Sequence, residues 1–185
     1  SWYLWWERRK LVHKELTQNA NQIALGIIAL TSNFVNASSP KATMKKGGWY
    51  CPPRGFVKLN VDASFDENTN QGSSGLVIRD SFGNLLRAQG LWYEFAASSM
   101  AMEGEVIRDG VRMALERGFR RVVVESDAQA IIKLWETEDF DRAEIVGVLH
   151  KIKELSAHFE SFRLIFVRRG ANEAAHLCVK QATNV

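Results

Sequence analysis

From Phe56 onward the chain is built of short apolar runs that switch between a two-residue and a three-to-four-residue rhythm. Three runs, Phe56 to Phe65, Gly75 to Asp80 and Leu85 to Leu91, are strand-like and bounded by turn residues, the last two joined by Ser81-Phe82-Gly83-Asn84. Consecutive strands with short turns predict an antiparallel meander. Ala96 to Gly118 then carries Met100, Glu103, Ile107, Val111, Ala114 and Leu115 along one face, which predicts a long helix closed by Gly118. A short strand, Arg121 to Glu125, follows, then helices over Ala128 to Trp135 and Ala143 to Ser156. A last strand, Phe162 to Val167, and a closing helix, Asn172 to Ala182, complete the pattern. The order βββαβα(α)βα predicts a mixed sheet with helices on its faces.

The first part of the chain reads differently. Residues 1–37 place Leu4, Leu11, Val12, Leu16, Ile23, Ile27, Leu30 and Phe34 at helical spacings, which predicts a helical extension with Glu7 to Lys10 as a charged cluster. Trp2, Trp5 and Trp6 crowd its start, an aromatic surface that calls for a covering protein partner or a neighbouring domain. Residues 38–48 are polar and small, with Ser38, Ser39, Pro40, Gly47 and Gly48, and read as a linker. The globular domain is therefore expected over 49–185. A chain that begins at Ser1 reads as a piece of a longer polypeptide.

Composition narrows the class only modestly. Of 185 residues, 46% are hydrophobic and 24% charged, with a net charge of +3, which suits a water-soluble globular domain and permits nucleic-acid binding without requiring it. The apolar run Ile23 to Leu30 is far too short to span a bilayer, so no membrane role is expected. Cys51 and Cys178 stand apart with no CxxC spacing, so neither a disulfide framework nor a zinc site is readable. An intracellular location, nuclear or cytoplasmic, fits best.

Candidate chemistry begins with acids in unusual places. Asp62 lies inside Lys58-Leu59-Asn60-Val61-Asp62-Ala63-Ser64-Phe65, where a core strand disfavours aspartate, and Asp127 ends the run Val122-Val123-Val124-Glu125-Ser126. A buried carboxylate without a partner is costly, so such a pair points to a cation between them, most naturally a divalent metal. Glu103 shares the apolar face of its helix, whereas Glu105 falls with Arg108, Asp109 and Arg112 on the expected wet side. Asp62 has no plainer structural reading, but the other candidates do. Asp127 fits a helix N-cap, Glu103 a helical acid paired with a base, and His176 a histidine at the edge of the last helix. Arg79, Arg168, Arg169, Lys58, Arg117, Arg120 and Arg121 could line a groove or simply be solvated, and Trp92 and Trp135 could stack bases or fill the core.

Several segments carry a resemblance: Trp49-Tyr50-Cys51-Pro52-Pro53, Lys58-Leu59-Asn60-Val61-Asp62, Leu76 to Asn84, Val124-Glu125-Ser126-Asp127-Ala128, and Val167 to His176. In this order they resemble the ribonuclease H-like domains of plants, the reverse-transcriptase-associated domains of non-LTR retrotransposons and their stand-alone relatives. The Trp5-Trp6-Glu7-Arg8-Arg9 stretch is similar to what precedes that domain in those polyproteins. The resemblance implies an α/β ribonuclease H-like fold, a five-stranded mixed sheet in the order 3-2-1-4-5 flanked by helices. It also implies an endonuclease that hydrolyses the RNA strand of RNA/DNA hybrids with two Mg2+ (or Mn2+) ions. Carried onto this sequence, Asp62, Glu103 and Asp127 are the metal ligands and His176 stands where many such enzymes have a fourth acid. Arg79, Arg168, Arg169 and Asn172 are the expected nucleic-acid contacts. Two departures, the neutral His176 and the Arg168-Arg169-Gly170 loop without the usual mobile histidine, open a second reading. In it the domain is a catalytically weak or inactive module that binds nucleic acid or protein. A DNA-processing relative of the same fold ranks last, because the surrounding segments do not match it.

Overall fold

In the computed structural model residues 48–140 and 144–183 are described; the predicted helical extension 1–37, nearly all of the linker 38–48 and Ala143 lie outside them. The strands are β1 (Val57–Asp66), β2 (Gln71–Arg79), β3 (Leu85–Tyr93), β4 (Arg121–Ser126) and β5 (Ser161–Phe166). The helices are α1 (Ser99–Glu116), α2 (Gln129–Thr137), α3 (Val146–Ser156) and α4 (Arg169–Thr183). The sheet runs β3-β2-β1-β4-β5, antiparallel across the meander and parallel from β1 to β4 to β5, in the order and mixed sense expected.

Alternation along β1 decides which helix meets which side chain. Leu59 and Val61 point to α1, where they join Ile78, Val106, Ile107, Val111, Val122, Val124, Leu149 and Ile152 in one closed apolar core. Burial of each such side chain contributes about 1.5–3 kcal/mol, so this face anchors the fold. Lys58, Asn60 and Asp62 point the other way, toward α4.

Where α4 crosses β2 and β3, the sheet carries glycine. Gly75 on β2 pairs directly with Gly90 on β3. A Cβ added at Gly75 would sit 2.3 Å from the Ala175 carbonyl oxygen, and one at Gly90 2.6 Å from that of Cys178. The helix backbone therefore occupies the space that side chains would fill. Small residues also explain why β2 begins at Gln71, ahead of the predicted Gly75: Gly72, Ser73 and Ser74 give no hydrophobic signal but are buried.

Helix ends follow local chemistry. Ser98 caps α1 by accepting from the Ala101 N–H at 3.1 Å, and Gly118 leaves it at φ +76. One detail of the predicted wet side is corrected. Arg108 is buried at 8% exposure, its guanidinium folded onto Asp109 at 2.8 Å. Its Nε and Nη2 both donate to Asp109 Oδ1, so the buried head stays paired.

Candidate active site

Three elements bring the predicted acids together. Asp62 comes from β1, Glu103 from the first turns of α1, and Asp127 from the residue after β4. Glu103 is pushed up to about 8, first by burial and then by the charges of Asp62 and Asp127, against the pull of an N–H bond from Ala63. Its Oε2 is buried with no hydrogen-bond partner. Asp62 is also raised, chiefly by burial and further by Asp127, with His176 and Arg169 pulling the other way.

Histidine 176 is close enough to be part of the site. Its Nδ1 lies 2.8 Å from Asp62 Oδ2, and Arg169 Nη2 lies 2.7 Å from its Nε2. The same Arg169 Nη2 also lies 3.2 Å from Nδ1, so the imidazole sits between the guanidinium and the Asp62 carboxylate.

Asp127 does not act as a helix cap. The cap position of α2 is Ala128, which has no side-chain bond, and the Ser126 hydroxyl instead accepts from the Ala128 N–H at 3.1 Å. Asp127 Oδ1 accepts from Asn172 Nδ2 at 2.9 Å. Among the described residues no three His, Cys, Asp or Glu side chains stand assembled as a metal cage. Asp62 is engaged by His176 and Asp127 by Asn172, which fits that arrangement.

The four expected nucleic-acid contacts divide into two pairs. Arg168 and Arg169 are exposed at the start of α4. Arg79 and Asn172 are buried, at 8% and 1% exposure. The Arg79 guanidinium lies 4.1 Å from the Trp49 ring centroid, with its Nε unpartnered. Asn172 donates to the Val61 carbonyl at 2.7 Å as well as to Asp127.

Sequence reasoning missed the polar layer behind the acids. Lys58 pairs with Glu125 at 2.6 Å and donates to the Tyr50 carbonyl. Asn60 Nδ2 donates to Glu125 Oε2 at 2.9 Å and to Asn172 Oδ1 at 3.2 Å, while its Oδ1 accepts from the Trp49 indole N–H at 2.9 Å. The signal was present as alternation: Lys58, Asn60 and Asp62 must share one face of β1, and Asn60 pairs in register with Glu125.

The profile of the family described as Reverse transcriptase-like matches residues 60–182. The chain belongs to the reverse transcriptase-like family. Solved structures similar to this reverse transcriptase-like domain include ribonucleases H. The ribonuclease H1 of the halophilic archaeon Halobacterium salinarum NRC-1 is 20% identical with a TM-score of 0.63, covering 70% of this chain and 98% of its own. The N-terminal RNase H domain of a Mycobacterium tuberculosis protein is 15% identical with a TM-score of 0.64, covering 70% and 94%. LC11-RNase H1, solved in complex with an RNA/DNA hybrid, is 16% identical with a TM-score of 0.60, covering 69% and 96%. The reverse transcriptase-like domain therefore has the ribonuclease H fold. No curated protein matches its sequence. Among its described residues no helix is long and apolar enough to cross a membrane.

Proposed function

We propose that this domain is a divalent-metal-dependent ribonuclease H-type endonuclease that cuts the RNA strand of RNA/DNA hybrids, and that it derives from a plant retroelement. The observation that carries the reading is Glu103: a buried carboxyl, raised to about 8 beside two further acids, with one oxygen left without a partner. Only a cation satisfies such a set in its ionised form, and hard carboxylate oxygens suit Mg2+. Asp62, Glu103 and Asp127 would hold it. Held by these carboxylates, a divalent ion would supply Lewis-acid chemistry for activating water and stabilising charge on a scissile phosphate.

The remaining residues prepare that place. Glu103 Oε2 is shielded from solvent. His176 holds Asp62 by one oxygen through its Nδ1, and Asn172 holds Asp127 by one oxygen. Arg168 and Arg169, exposed at the rim, offer cations to a phosphate backbone. The fold shared with a ribonuclease H1 that was solved with an RNA/DNA hybrid supports that substrate class.

A second reading, a weak or silent nucleic-acid-binding module, is favoured by the same two bonds. Asp62 Oδ2 and Asp127 Oδ1 are already engaged by side chains. Cleavage of a labelled RNA/DNA hybrid in Mg2+ and then Mn2+, with Asp62→Asn as control, separates the two. Hybrid-specific cutting abolished by the substitution supports the enzyme. Binding of the hybrid by folded protein without cutting in either ion supports the module.

A further inference from the structure

We infer that Trp49 and Asn60 are positioning residues for Asp127, acting through Asn172 as a one-way relay of side-chain amides. The inference deepens the ribonuclease reading and rests on it for the role of Asp127. An asparagine amide has a donor end and an acceptor end of nearly the same shape, so its orientation is chosen by its partners. Here three groups that cannot reverse make the choice. The indole N–H of Trp49 can only donate, which turns Asn60 Oδ1 toward it at 2.9 Å. The Glu125 carboxylate, ion-paired to Lys58, can only accept, which turns Asn60 Nδ2 toward it. Asn60 Nδ2 also reaches Asn172 Oδ1 at 3.2 Å, so Asn172 must present Nδ2 on its other side. There it meets the Val61 carbonyl, which again only accepts, and Asp127 Oδ1.

The polarity of the chain is thus fixed at its start, middle and end, and Asp127 is always met by an N–H and never by a carbonyl oxygen. Water cannot repair a reversed amide in this layer, because Asn60, Glu125 and Asn172 are 0%, 4% and 1% exposed. The relay also ties β1, β4 and α4, the three elements whose relative placement sets Asp62, Asp127 and His176, to the segment entering the domain at Trp49. A hydrogen bond that orients a metal-binding carboxylate typically changes metal affinity or activity by about 10–100-fold.

The first test needs no metal. In 15N-labelled full chain, Trp49→Phe keeps an aromatic ring over Arg79 but removes the donor that starts the relay. We expect the Asn172 side-chain amide resonances to shift and exchange faster, while backbone amides at the far end of α4, around Val179, stay in place. Asn172 resonances that coincide with wild type in the folded variant overturn the inference. Asn60→Asp, which swaps donor for acceptor, should show a larger effect if it folds; Trp49→Phe is the deciding variant if it does not. The second test is steady-state cleavage of an RNA/DNA hybrid. Trp49→Phe should lower kcat about tenfold with KM for the hybrid unchanged, and an unchanged kcat overturns the inference. If the wild-type chain itself does not cleave, the ribonuclease reading fails, and the resonance experiment still decides the relay.

Discussion

Replacing Glu103 with glutamine removes one charge from the centre and changes almost nothing else in shape. In the wild type the carboxyl ionises near 8, against an ordinary 4.5, because burial and two neighbouring acids penalise its charged form. The folded state therefore holds this proton more tightly than the unfolded chain. The stabilisation is fully present below pH 4.5 and is lost as the pH rises through about 8. At 1.36 kcal/mol per tenfold change in proton affinity, the wild type should lose about 3–4 kcal/mol of stability between pH 5 and pH 8 in the absence of divalent ions. Glu103→Gln carries no such proton and should lose far less. Asp62, also raised, slopes the same way in both proteins, so the difference between them reports position 103 together with its coupling to Asp62. Urea unfolding with a chelator present, at pH 5, 6, 7 and 8, measures the two curves. Adding millimolar Mg2+ at pH 8 should restore stability to the wild type and not to the variant. Parallel curves for the two proteins would refute the argument, because a carboxyl that titrates normally is neither desolvated nor repelled.

Two further outcomes follow from the α4 face. Gly75→Ala should cost about 3 kcal/mol or more, read as a lowered urea midpoint, because its Cβ would meet the Ala175 carbonyl oxygen at 2.3 Å and force the helix off the sheet; an unchanged midpoint would contradict that packing. Of the two thiols, exposed Cys51 should react with a disulfide reagent at pH 8 within the mixing phase. Cys178, whose thiol burial pushes up to about 12, should react only at the rate of unfolding, and equal rates would refute its burial.

How far the sequence anticipated this depends on whether a residue's meaning is local. Asp62 was legible because an acid within an apolar strand is anomalous wherever the strand lies, and the strand order came with the resemblance of the surrounding segments. Asn60 and Glu125 were not legible as partners. Each looks like an ordinary polar residue until the parallel register of β1 and β4 sets them side by side. Arg108 was assigned to water by helical periodicity, which knows the angle around the axis but not that the side chain folds back onto its neighbour Asp109. Asp127 was ambiguous because Ser126-Asp127 before a helix has the composition of a cap; the backbone puts the cap one residue later and leaves the carboxylate to Asn172. Asn172 was expected to face nucleic acid, and the position of α4 against β1 instead buries it at 1% exposure.

The glycine pair beneath α4 limits how this domain can diverge. Sliding the helix by one residue would require a new pair of glycines elsewhere in the sheet, arriving together, since either alone leaves a side chain in the path of the helix backbone. Exchanging a side chain on the helix requires one substitution. Position 176 is therefore freer to change identity than place: new chemistry at a fixed address.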